Sequence, residues 1–289
     1  MPISKNSDFS LLGNIILGVL ICGVLFLFLV YLRRLALVIF DSMELLYARF
    51  KKRPFYLYLY LFKKDLTKKQ RDILKSDFTF YKKLNAVQQA NFRHRVAMFI
   101  KLKTFEGKDG FLITDHVKIL VGATATMLTF GFRKYKIPYV ETILVYPTEY
   151  YSNMGKRYHK GEFNAAYKAI VLSWDNFLEG CKIENDKINL GIHEFAHAIH
   201  YNSIKSDDVN AIIFVDTFNA LRQMLNTDET LKINLKHSEL LRNYAFTNDS
   251  ELLAVIIETF IESPKTFKRM FPVIYKMVRQ MLNFNFAGY

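Results

Sequence analysis

His193, Glu194 and His197 stand within five positions of one another, in the stretch NLGIHEFAHAIHYNS, residues 189 to 203. The pattern is H-E-x-x-H. Residues four apart on an α-helix lie on one face, one turn above each other. His193 and His197 can therefore aim ring nitrogens at one cation. Glu194, offset around the helix, falls beside that point, where it can take a proton from a water rather than bind the ion. Two neutral imidazoles and such a carboxylate are the means by which a Zn2+ site hydrolyses a peptide bond, with the Glu as general base. The competing reading is a surface helix with incidental histidines.

A hydrolytic zinc site needs a third protein ligand and one open position. His200 follows His197 by three residues. His193 and His200, however, are nearly two turns, about 10 Å, apart along a helix, too far to share one tetrahedral ion. The metzincin continuation, a Gly turn and a more distant His, is not in this sequence. The alternative is a carboxylate from NYAFTNDSELLAVIIETFIESP, residues 243 to 264, which offers Glu251 and Glu258 on one face of an otherwise apolar helix. Buried carboxylates are costly unless paired or bound to a cation. An exposed acid in the first turn, favoured by the helix dipole, is the competing account of Glu251 and serves Glu258 less well. Spacing leaves the choice open.

The elements that must hold these residues are mostly helical. Apolar residues recur at helical spacing in DLTKKQRDILKSDFTFYKKL and AVQQANFRHRVAMFIKLKTF. GKDGFLITDHVKILVGATATMLTFGF predicts a short strand, a cap at Asp115 and a buried helix. VETILVYPTEY is strand-like, and EFNAAYKAIVLSWDNFLEG predicts a strand pair or a strand and a turn. The motif helix is expected over 186–203, followed by helices over 208–226, 235–245 and 249–262, capped in the last case by Asn248 or Asp249. One further helix is expected after Pro264. The class is α+β, mostly helical with a small sheet, and residues 66–289 form one domain.

The amino end has a different character. Of 289 residues 51% are hydrophobic, and the formal charge is +13. Residues 11–32, LLGNIILGVLICGVLFLFLVYL, carry no charge, and about 20 apolar residues suffice to cross a bilayer. A nearly neutral start of residues 1–10 and the lack of a small-residue cleavage site argue for an uncleaved transmembrane helix rather than a signal peptide. Arg33, Arg34, Arg49, Lys51, Lys52, Arg53, Lys63, Lys64, Lys68 and Lys69 follow the span, and Lys5 precedes it. That asymmetry predicts a single-pass protein of the cytoplasmic (inner) membrane with its large carboxyl part in the cytoplasm. Residues 33–65 form a basic juxtamembrane linker, whose charge can lie against anionic headgroups. Within it PFYLYLYLF, residues 54–62, is too short to span and is either a strand or an aromatic segment at the membrane interface. Cys22 and Cys181 are too isolated for a bridge or a thiolate zinc site. No nucleic-acid recognition motif accompanies the positive charge.

Six blocks in order, FYKKL…FRHRVAMFIKLKTFEG, ITDHVKILVGATATMLTFG, ILVYPTEY, VLSWDNFLEG, NLGIHEFAHAIH and NYAFTNDSELLAVIIETFIESP, resemble the zinc-dependent peptidases of the Mlc titration factor A family. The resemblance runs from about residue 66 to the end. It implies a zincin-type fold with a gluzincin-like site holding one Zn2+ per chain. His193, His197 and Glu251 would be the metal ligands and Glu194 the general base. Tyr244 would donate a hydrogen bond to the developing oxyanion, and Glu258 would orient a ligand histidine. Leu252-Leu253 stands where the family often has two Phe, which leaves the ligand set untouched. The membrane helix goes beyond the resembling part. The implied activity is a metallopeptidase acting on peptides or proteins, by aminopeptidase or endopeptidase cleavage. The second reading is a binding module that captures a regulatory protein partner on the same fold. The intact set of His193, Glu194, His197, Glu251 and Tyr244 favours the enzyme.

Overall fold

The computed structural model describes residues 5–60, 62–152, 156–182 and 188–289, with side chains from residue 13 onward. Residues 1–4 of the amino-terminal segment, Leu61 of the aromatic run and residues 186 and 187 of the expected motif helix lie outside the described residues. The chain divides after Lys51 into two units, the second running Lys52–Tyr289.

The first unit is a single helix, α1 (Lys5–Lys51). Its Gly13–Lys51 part is long and apolar enough to cross a membrane. The helix outruns the apolar stretch 11–32 and takes in the first part of the basic linker. Residues 33–51, RRLALVIFDSMELLYARFK, contain no Gly or Pro and are rich in Leu, Arg, Ala, Met and Glu, so nothing local stops the helix.

The second unit begins with irregular backbone over residues 52–60 and 62–67, then α2 (Lys68–Asp77), the short α3 (Thr79–Lys82) and α4 (Ala86–Leu102). Thr67 and Asn85 start α2 and α4 with reciprocal capping boxes to Gln70 and Gln88. Strand β1 (Thr104–Gly107) follows, then α5 (Asp115–Leu128), β2 (Thr142–Tyr146), β3 (Tyr150–Ser152), β4 (Arg157–His159), β5 (Gly161–Asn164) and β6 (Ala169–Ser173). The rest is helical: α6 (Trp174–Lys182), α7 (Leu190–Ile204), α8 (Val209–Thr227), α9 (Glu229–His237), a 3-10 turn (Asn243–Phe246), α10 (Asp249–Glu262), α11 (Pro264–Met270) and α12 (Pro272–Met281). The molecule is thus mostly helical with a small sheet.

The main sheet has the order β1-β2-β6-β5, with β1, β2 and β6 parallel and β5 antiparallel on the edge. β3 and β4 form a separate antiparallel pair. Ile143, Val145, Ile170 and Leu172 point from the central strands into one hydrophobic core shared with α5, α7 and α10. Helix α7 packs on α5, α8 and α10 and on edge strand β5. It buries Ile192, Phe195, Ala196 and Ile199 while keeping both motif histidines on a half-buried face.

Several local expectations shift. The strand sought in GKDGFLI lies earlier, at Thr104–Gly107, because Asp109 and Gly110 take left-handed backbone (φ 51° and 76°) in a turn. Thr114, not Asp115, caps α5 by accepting from Val117 N–H. Asn248 caps α10. The helix expected over 235–245 starts earlier, capped by Asp228, and stops before Glu239, whose φ is 55°; Tyr244 therefore rides on a 3-10 turn. The helix after Pro264 is two helices, since Pro272 forces Phe271 out of helical backbone. EFNAAYKAIVLSWDNFLEG resolves into the β5–β6 pair and α6.

Candidate active site

Two helices build the site. The chain enters α7 through Asn189, whose side chain caps Ile192 N–H at 3.0 Å and donates to Gly180 O at 2.6 Å. This fixes the first turn of α7, and His193 and His197 then project one turn apart. α10 crosses α7 and brings Glu251 from its own first turn.

Among the described residues, His193, His197 and Glu251 form the group that can hold a metal ion. His193 Nε2 lies 3.1 Å from His197 Nε2 and 3.0 Å from Glu251 Oε2, and the third side of the triangle, His197 to Glu251, is 3.6 Å. A tetrahedral ion with ligands at 2.0–2.1 Å sets its ligand atoms about 3.3 Å apart. The triangle has that size. Its chemistry agrees. His193 Nδ1 faces Glu258 Oε2 at 3.1 Å, and His197 Nδ1 faces Ser250 Oγ at 2.9 Å. Glu258 can hold a ring proton on His193 Nδ1 and Ser250 Oγ can accept one from His197 Nδ1, which would leave the two Nε2 lone pairs free for a metal. Glu251 Oε2 is buried and makes no hydrogen bond of acceptable geometry. In those tautomers three acceptor atoms converge, an arrangement that needs a cation between them, either a metal ion or a proton. The donor set of two imidazoles and one carboxylate suits zinc.

Without a metal, a proton does part of this work. Burial would lower the pKa of His193, but Glu251 and Glu258 beside it outweigh burial and push it up to about 10. Burial likewise opposes ionisation of Glu251, yet His193 and His197 hold its carboxyl well below the usual carboxylate range.

Glu194 lies outside the triangle and is buried. Its Oε2 accepts the Phe163 N–H of β5 at 2.8 Å. Burial raises its pKa against the pull of His193 and His197. β5 comes this close because residue 161 is Gly: a Cβ there would meet Leu190 Cδ1 at 2.6 Å and Glu194 Cγ at 3.1 Å.

Tyr244 is half exposed on the 3-10 turn, its ring centroid 6.2 Å from that of His193. Burial and then the charge of Glu251 raise its pKa, so its hydroxyl stays a donor. His200 turns away from the triangle and packs against the rings of Phe214 and Phe218, with centroids 6.2 and 5.1 Å away. Trp174 stacks on Phe177. A cleft of about 450 Å3 opens on His193, His197, Glu251 and Tyr244. A second of about 400 Å3 shares Gly161, His193, Glu194 and Tyr244 with it and is edged by Lys160, Glu179 and Arg242.

Four contributors escape sequence reasoning: Asn189, Ser250, Arg242 and the Phe163 N–H. Glu258 Oε1 accepts Asn189 N–H at 2.9 Å, and its Oε2 is paired with Arg242. Asn189 had a usable signal, as a capping residue type just before the motif helix. Ser250 and Arg242 look like an ordinary first-turn polar residue and a surface charge.

Comparison with known sequences agrees with this geometry. The family described as glucose-regulated metallo-peptidase M90 matches residues 50–283. An uncharacterized protein of Synechocystis sp. is 24% identical over 242 residues, covering 76% of this chain and 85% of that one. The match takes in α7, α10 and every residue of the triangle, and on that extent the chain belongs to the M90 metallopeptidase family, that of Mlc titration factor A.

Proposed function

We propose that this protein is a membrane-anchored zinc peptidase with one Zn2+ per chain, held by His193, His197 and Glu251. The observation that carries the reading is the convergence of three acceptor atoms at metal-ligand spacing. Zinc bound there supplies Lewis acidity, polarising a carbonyl and acidifying water. The chain's own groups do the rest. Glu194 takes the proton of the attacking water and passes it to the departing amine. Tyr244 donates to the oxyanion as the carbonyl carbon becomes tetrahedral. Glu258 and Ser250 keep the two imidazoles turned toward the metal. The clefts on either side of the shared residues receive a peptide or protein substrate. In this reading helix α1 anchors the chain in the cytoplasmic membrane, and the Lys/Arg excess after it supports a cytoplasmic catalytic domain.

The test is cleavage of a mixed peptide library by the zinc-loaded full-length protein, read by mass spectrometry. Cleavage that a chelator stops, zinc restores and Glu194→Gln abolishes supports the reading. Equal cleavage by wild type and Glu194→Gln overturns it, and a loaded protein that cleaves nothing favours capture of a partner instead.

A further inference from the structure

Residues 52–60 and 62–66 of the second unit have two faces of opposite character. The inner face is tied to the domain. Tyr58 Oη donates to Phe130 O at 3.0 Å. Tyr60 Oη accepts from Arg95 Nε at 2.6 Å. Arg95 is fully buried, donates also to Thr129 O and Phe132 O at 2.7 Å each, and lies 5.0 Å over the Tyr58 ring. The Arg133 guanidinium covers Tyr56 at 4.8 Å, and Lys64 N–H donates to His94 Nδ1 at 2.8 Å. Leu66 closes the segment in the core. Tyr56, Tyr58, Tyr60, Lys64 and Leu66 are therefore tied to the domain on the inner side.

Outward point Leu59 and Phe62, with 77% and 91% of their surface exposed. Large apolar side chains held in water by a rigid backbone mark an interaction surface. Beside them sits a cluster of like charge drawn from separate parts of the fold. Lys64 lies against Lys101 of α4, which lowers its pKa, and Lys63 and Lys136 both act on His94. The neighbouring acid, Asp65, is engaged by Arg71 and Arg93 at 3.1 and 2.8 Å.

We propose that the face carrying Leu59 and Phe62 docks the catalytic domain on an anionic lipid surface, with these two side chains entering the headgroup region and Lys63, Lys64, Lys101 and Lys136 meeting the phosphates. Protruding apolar residues flanked by lysine are the composition of an interfacial anchor. Chain continuity supplies the occupant: the segment starts at the residue after α1, so a bilayer spanned by α1 is within its reach. A second copy would set this positive cluster against its own image. The inference rests on the reading of α1 as a membrane span and adds to it. The domain then lies on the bilayer rather than swinging on a tether, and its substrates are chain segments close to the membrane.

The test uses the full-length protein with Cys22 and Cys181 replaced by alanine, in nanodiscs carrying nitroxide-labelled lipid. A fluorophore is placed by Leu59→Cys, or by Leu25→Cys within α1. Quenching at position 59 in phosphatidylglycerol discs, weak in phosphatidylcholine discs, is expected. Lys63→Gln and Lys64→Gln should each cut the docked fraction roughly fivefold. Quenching at 25 without quenching at 59 overturns the docking surface and leaves the span intact. No quenching at 25 removes the span, and position 59 then decides docking by its own signal. Shielding of position 59 that persists in detergent and grows with protein concentration assigns the face to a second copy and overturns the proposal. The lipid comparison is made on unaltered lysines, so a misfolded variant does not blunt it.

Discussion

Glu258 Oε2 faces His193 Nδ1 at 3.1 Å, while Oε1 of the same carboxylate holds Asn189 N–H at 2.9 Å. One side chain of α10 thus touches both the start of the motif helix and a ring nitrogen of His193 on it. Glu258→Gln keeps the shape but weakens the pull on the His193 proton. Zinc affinity should fall about 10- to 100-fold, as for other carboxylates that orient ligand histidines. Chelator competition measures it, and unchanged affinity would reduce Glu258 to a structural group.

Glu194 touches the triangle through charge, not coordination. Glu194→Gln should keep full zinc content and lower kcat by about 10^2 or more, the usual contribution of a general base. Because burial already disfavours its ionised form, the variant should be no less stable to heat. Loss of zinc together with activity would mean that Glu194 has been given the wrong role.

Tyr244 offers a narrower test. Tyr244→Phe removes one donor from a half-exposed ring and should lower kcat about 10- to 10^3-fold with little change in KM or zinc content. A change in KM with kcat intact would make Tyr244 a substrate contact instead.

The metal-free protein should show a pH signature. His193 has its pKa raised to about 10 in the fold, so its protonated form stabilises the native state. That stability is fully present below about pH 6.5, its unfolded value, and is lost as pH rises toward about 10. Glu251 works in the other sense: its depressed pKa contributes stability above about pH 4.5 that is lost on acidification. The chelated protein should therefore melt highest between these limits, and zinc should raise Tm more at pH 8 than at pH 6 as it competes with fewer protons. A chelated Tm that climbs from pH 6 to 9 contradicts the coupling.

Legibility in the sequence follows the range of the interactions. His193 and His197 could be paired because a helix fixes an i, i+4 relation locally. Helices over 208–226 and 249–262 were readable for the same reason, from periodicity and caps. Glu251 could not be chosen over Glu258 from spacing, since the choice depends on where α10 crosses α7. It came through the family resemblance. Ser250 and Arg242 act only across that crossing, and the Phe163 N–H only through the approach of β5. Local chemistry was also misjudged where backbone sign decides, as at Asp109, Gly110 and Glu239. The path of residues 52–66 depends on buried Arg95, which a sequence shows as one more basic residue.

The most direct measurement is the zinc content of purified full-length protein, wild type beside Glu251→Gln and His200→Ala. The account predicts about one zinc per chain in wild type, strong loss in Glu251→Gln, and retention in His200→Ala, whose ring packs on Phe214 and Phe218. No zinc in wild type, or loss in His200→Ala with retention in Glu251→Gln, would contradict it.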